Sequence, residues 1–127
     1  MWLANGGHNP PLLLRSDSAA EYFTLPTGSV LGVGLGASFS AIHLSLAPGD
    51  VLIPYTDGVT EAIAADGAFF GEERLKNIVE SVAEEPPRVV VEAVMEAVRS
   101  FSAGCDPADD VTVICIRWEG FSPQEKI

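Results

Sequence analysis

Three short segments of this 127-residue chain carry side chains that could do chemistry. Tyr55-Thr56-Asp57-Gly58-Val59-Thr60-Glu61-Ala62 follows an apolar run, so Asp57 stands at a strand end, and Gly58 lets the backbone bend tightly there. Asp106-Pro107-Ala108-Asp109-Asp110-Val111-Thr112 precedes the last apolar run and sets three carboxylates at its start. Brought together, such acids supply hard oxygen ligands for Mg²⁺ or Mn²⁺. The third segment is Gly6-Gly7-His8-Asn9-Pro10-Pro11. Read singly, each has a plainer meaning: an Asp-Gly turn, a strand cap, and a turn whose histidine is neither ligand nor base. His43 reads as a residue on the polar face of its strand.

The elements that must position these segments are legible in part. Met1 to Asn5 and Pro11 to Arg15 read as two strands, expected to pair as a hairpin around the glycine-rich turn. Glu21 to Leu25 reads as a third, ended by Pro26-Thr27-Gly28. From Phe39 to Leu46 the apolar residues alternate, with Ile42, Leu44 and Leu46 on one face and Ala41, His43 and Ser45 on the other. Ala47-Pro48-Gly49-Asp50 is a turn, and Val51 to Thr56 is expected to return antiparallel to the preceding strand. Continuous apolarity in Val51-Leu52-Ile53 implies cover on both faces. Pro54 lacks an N–H, so this strand is expected at an edge or bulged.

Two helices follow. Glu72 to Ala83 carries Leu75, Ile78, Val79 and Val82 at helical spacing, with acids in the first turn. Pro86-Pro87 separates it from a second helix reaching about Ser102, whose stripe is Val90, Val91, Val94, Met95, Val98 and Phe101. Val111 to Trp118 is the last strand. The expected fold is α+β, antiparallel strands covered by two helices, with one domain over residues 1–118 and a loose tail over 119–127.

Composition narrows the function. A net charge of -11, with 18 acidic and 7 basic residues, opposes nucleic-acid binding, and no basic cluster with interleaved aromatics occurs. No uninterrupted apolar run is long enough to span a membrane, and the N-terminus does not resemble a signal peptide. Cys105 and Cys115 lack metal-ligand spacing, so reduced thiols in a cytoplasmic protein are expected. The mean hydropathy of +0.25 is high for a small domain and implies a large core or an interface.

In order along the chain stand Asn5-Gly6-Gly7-His8-Asn9-Pro10-Pro11, Pro48-Gly49-Asp50-Val51, Thr56-Asp57-Gly58-Val59-Thr60-Glu61, Phe70-Gly71-Glu72-Glu73-Arg74-Leu75 and Asp109-Asp110-Val111-Thr112. This series closely resembles the SpoIIE/RsbU branch of the PPM metal-dependent serine/threonine protein phosphatases, over nearly the whole chain to Arg117. The resemblance implies a β-sandwich carrying two Mn²⁺ or Mg²⁺ ions, with Asp57 and Asp109 matching metal ligands and Asp110 structural. It implies a phosphoserine or phosphothreonine regulatory protein as substrate, a STAS-type anti-anti-sigma factor being the one suggested.

The family's earlier segment, with an Asp that bridges both metals, has no match before Asn5. The chain is therefore expected to be the C-terminal part of the domain, of low activity alone, with Glu61 and Asp50 the nearest other acids in sequence. A phosphatase-like interaction module without turnover is the alternative, and a scaffold with one structural metal a third reading. Val90, Val91, Val94, Met95, Ile114 and Ile116 are expected to need cover, which a second copy in a homo-oligomer would provide.

Overall fold

The computed structural model describes residues 1–17, 19–26, 31, 32, 34, 36, 38–106 and 109–121. Parts of three expected features, Thr27-Gly28, Pro107-Ala108 and the tail beyond Phe121, lie outside them. The strands are β1 (Trp2–Ala4), β2 (Leu12–Leu14), β3 (Ala20–Tyr22), β4 (Ala41–His43), β5 (Val51–Ile53) and β6 (Ile116–Arg117). The helices are a short α1 (Asp57–Thr60), then α2 (Gly71–Ser81) and α3 (Pro87–Phe101). No helix among the described residues is long and apolar enough to cross a membrane.

Two antiparallel sheets form, a small one of β1 and β4 and a larger one ordered β3-β2-β5-β6. The central strands of the larger sheet, β2 and β5, are buried on both faces, which explains their unbroken apolarity. Leu12, Leu14, Val51 and Ile53 turn to one side and pack with Leu75 and Val79 of α2 and Val90, Val94 and Val98 of α3. Leu13 and Leu52 turn to the other and meet Leu44, Leu3 and Leu46 from the small sheet and its flank. The result is an α+β sandwich: small sheet, large sheet, helices.

This layering overturns two expected pairings. β1 does not form a hairpin with β2; it pairs with β4, Leu3 opposite Ile42, while β2 pairs with β3 and β5. Leu3 and Leu13 share one hydrophobic cluster but lie in different sheets, so the connecting turn crosses between sheets. Likewise β5 does not return along β4. Leu44 and Leu46 lie over Leu52, and the Ala47–Asp50 turn makes the second crossing.

Pro54 is neither at an edge nor bulged. The β5–β6 register runs unshifted from Val51 opposite Arg117 through Leu52 opposite Ile116 to Tyr55 opposite Val113. Pro54 still accepts from the Ile114 amide at 3.0 Å; only its own missing N–H interrupts the ladder, which is why β6 is so short.

The alternation of β4 is as expected, Leu44 buried and Ile42 and Leu46 half-buried while Ala41, His43 and Ser45 are exposed. The expected need for cover divides. Val90 and Val94 are 1% and 0% exposed within this chain, because the helix stripe finds the large sheet. Val91 and Met95 are half-buried. Ile114 and Ile116 are 50% and 39% exposed; Ile116, opposite Leu52, shares the face turned to the small sheet but lies on the edge strand.

Candidate functional site

Strand β5 delivers Asp57. Beyond Pro54, Tyr55 is buried at 2%, and burial, with help from Glu72 and Asp57, pushes its phenol up to about 12. Thr56 then locks the acid-bearing turn to the segment before β6. Its amide donates to the Thr112 carbonyl at 3.0 Å, its hydroxyl donates to the Asp110 carbonyl at 2.9 Å, and that hydroxyl accepts from the Thr112 amide at 2.9 Å. The hydroxyl is thus spent across the chain and does not cap α1.

Gly58 shows why the motif needs a glycine. A Cβ at this position would stand 2.1 Å from the Asp110 carbonyl oxygen and 3.2 Å from that of Asp109. The two acid-bearing backbones are therefore in direct contact, and only a residue without a side chain permits it. Two segments more than fifty residues apart in sequence meet here.

The carboxylates themselves are exposed. Asp109 accepts from the Asp110 amide through Oδ1 at 2.7 Å and lines a cavity of about 650 Å³. Glu61, Asp106 and Asp110 share that wall, Phe69, Met95 and Val98 supply apolar surface, and Arg99 is its one cation among the described residues. Arg99 is itself 3.3 Å from Glu96. Asp57 is not part of the cavity wall; its Oδ1 accepts a hydrogen bond from Nδ2 of Asn9. The backbones of the two candidate ligands are thus brought together while their carboxylates have different immediate surroundings.

Asn9 is not singled out by the sequence pattern, in which Gly6 to Pro10 reads as a hairpin turn. The signal was present in the Asn-Pro-Pro run, since two prolines without N–H groups cannot open a ladder with the preceding strand. His8 is exposed, its ring nitrogen only 3.2 Å from the adjacent Asn9 carbonyl, which suits a turn residue. Asp50 is excluded as a partner for Asp57. It lies at the opposite end of β5, 1% exposed, bound by Arg15 and by the Ser16 and Ala47 amides.

The donor set is all oxygen, which suits a hard divalent cation by type. By count it is incomplete: among the described residues no group of three or more His, Cys, Asp or Glu is placed to hold a metal ion.

The sequence profile described as "Stage II sporulation protein E (SpoIIE)" matches residues 1–119. Protein IcfG of Synechocystis is 29% identical over 112 residues, which are 88% of this chain and 17% of IcfG. Among solved structures, the SiaA-PP2C domain of Pseudomonas aeruginosa superposes with a TM-score of 0.77 at 21% identity, over 92% of this chain and 46% of that one. The phosphatase domain of SpoIIE from Bacillus subtilis gives 0.67 at 20% identity, over 96% and 52%. The RsbU and RsbW domains of Rv1364c from Mycobacterium tuberculosis give 0.64 at 26% identity, over 91% and 31%. The chain spans about half or less of the length of each relative. With a profile match over residues 1–119, the chain belongs to the SpoIIE family, and its two-sheet sandwich has the fold of the PP2C domain on which it superposes.

Proposed function

We propose that residues 1–118 are the C-terminal part of a cytoplasmic phosphatase domain acting on phosphoserine or phosphothreonine in a regulatory protein, with Asp57 and Asp109 as ligands for Mn²⁺ or Mg²⁺. The observation that carries this reading is the contact at Gly58, which leaves the strand-end acid and the Asp-Asp pair no independent positions. Electrostatics support it. A phosphate dianion approaching Glu61, Asp106, Asp109 and Asp110 meets four carboxylates and one arginine already beside Glu96, so cations are needed to reverse the local sign. Such ions, when bound, neutralise phosphoryl charge and activate water for in-line attack.

The chain's own residues do the rest. Thr56 and Gly58 hold the two acidic segments together, and the apolar wall of Phe69, Met95 and Val98 offers a recess for a side chain of the substrate. The substrate class, a regulatory phosphoprotein of STAS type, is the one that the resemblance of the motifs implies.

Two carboxylates are few for a dinuclear centre, so the 127 residues alone are expected to turn over poorly. A second reading, a phosphatase-like module that binds a regulatory partner without hydrolysis, fits the separation of the two carboxylates, Asp109 on the cavity wall and Asp57 beside Asn9. One assay separates the two readings. Mn²⁺-dependent phosphate release from a phosphoserine STAS-type protein is measured with this chain and with a polypeptide extended to the length of the SiaA domain. Activity in the extended protein, lost in Asp109→Ala, supports the enzyme; binding of the phosphoprotein without release by either supports the module.

A further inference from the structure

The hydrogen bond from Asn9 to Asp57 joins residues 48 apart in sequence, and the loop that makes it is itself held from beneath. Asn5 is 4% exposed, and both ends of its side-chain amide are spent on one residue. Its Nδ2 donates to the His8 carbonyl at 2.8 Å, and its Oδ1 accepts from the His8 amide at 2.6 Å. That pair closes the Asn5–His8 turn, in which Gly7 takes a φ of 92°, a backbone conformation that glycine adopts without strain. The next residue, Asn9, therefore leaves the turn in a set direction. A carboxylate can only accept, so the nitrogen of the Asn9 amide must be the atom that faces Asp57.

Held this way, Asp57 is constrained from two sides. Thr56 and Gly58 determine where its backbone lies against the Asp109-Asp110 segment, and Asn9 engages one of its two oxygens. We infer that Asn9, braced by the buried Asn5, is a positioning residue: it ties Oδ1 of Asp57 and leaves Oδ2 as the oxygen offered to a divalent cation. This rests on the reading of Asp57 as a metal ligand. The physical reason is general. A carboxylate free to rotate must lose that freedom when it binds a cation, whereas one oriented beforehand by a hydrogen bond does not, and partners of this kind typically change metal affinity by roughly 10–100-fold.

The Gly-Gly-His-Asn-Pro-Pro segment then acquires a role that neither a hairpin turn nor a histidine base would give it. The asparagine, not the histidine, is the working side chain.

The test uses the full 127-residue chain with Mn²⁺ as the probe, titrated by calorimetry well below the unfolding temperature, alongside thermal melts. Asn9→Leu keeps the shape and removes the donor, and Asn9→His restores an N–H at similar reach. Expected are a Mn²⁺ affinity about 10-fold weaker in Asn9→Leu with little change in melting temperature, partial recovery in Asn9→His, and loss of binding in Asp57→Asn. Independently of metal, the Asn9 side-chain amide resonances of the wild type should shift in Asp57→Ala. Wild-type affinity in Asn9→Leu, with binding still lost in Asp57→Asn, overturns the positioning role and leaves the ligand standing. Unchanged affinity in Asp57→Asn overturns the ligand and, with it, the positioning role. A fall in affinity matched by an equal loss of stability in both Asn9 variants reduces Asn9 to a clasp between loops and also overturns the inference.

Discussion

Strand β5 carries an aspartate beyond each end, and the two could hardly be treated more differently. Asp50, before the strand, is 1% exposed and accepts from the amides of Ser16 and Ala47 at 2.9 Å and from Arg15 at 2.8 Å. Burial by itself would raise its carboxyl, but those two amides and the Arg15 guanidinium more than offset this and hold it below the ordinary value. Asp57, after the strand, is exposed, and among the described residues its one side-chain hydrogen bond is from Asn9. A carboxylate whose lone pairs are filled by the fold holds two sheets in place. One with capacity left over, at a contact between two acidic segments, is available to a ligand.

That contrast can be broken by experiment. The largest expected effect is at the satisfied end: Asp50→Ala strips a half-buried guanidinium and two amides of their acceptor and should cost roughly 3–5 kcal/mol in urea unfolding. Asp57→Ala, by contrast, should leave stability within about 0.5 kcal/mol. Similar losses at both ends would mean that Asp57 is structural as well.

Next in size is Gly58→Ala. The added methyl cannot coexist with the Asp110 carbonyl, so the two segments must part, at a cost of about 1–3 kcal/mol. Because the parting displaces Asp57 from Asp109, Mn²⁺ affinity should fall with stability, in contrast to Asp57→Asn, where affinity falls alone. A Gly58→Ala protein that melts like the wild type would show that the close approach is not maintained in solution.

The pH dependence is a smaller effect with a definite sign. The folded-state value of Asp50 lies below its unfolded value near 3.8, so its contribution is fully present above about pH 4 and is lost as the pH falls through the depressed folded value. Asp50→Asn should flatten that acid limb of the stability curve. Equal limbs in wild type and Asp50→Asn would contradict the assignment.

The smallest effect concerns the surface. Ile114 and Ile116 lie exposed on the β6 edge, and a second copy could cover them, so weak self-association is expected at high micromolar concentration and should decline in an Ile114→Thr, Ile116→Thr double variant. Light scattering across a dilution series measures it. A monomer at all concentrations would mean the -11 charge prevails over those two side chains.

How much of this was legible beforehand depends on the range of the interaction involved. The α3 stripe, the alternation of β4 and the double burial of Val51-Leu52-Ile53 are local patterns, each obeying the period of its own element, and each appears in the fold as read. The segments bearing Asp57 and Asp109 were also visible, since an acid beside an apolar run is a short-range feature. Which sheet a strand joins was not. Leu3 beside Leu13 and Leu44 beside Leu52 fit a hairpin and a face-to-face stack equally well as sequence, because alternation specifies that a face is buried but not what buries it.

Pro54 misled for a related reason. A missing N–H forbids one bond, and only the partner strand shows that the register can run past it. The amino-acid order by itself determined the element types, the two acid-bearing motifs and the family to which they belong. The tertiary structure alone decided that Gly58 must touch Asp110, that Asn9 reaches Asp57, and that Asp50 and Asp57 face opposite fates. Those three facts join residues dozens of positions apart, and proximity of that kind exists only once both sheets have packed.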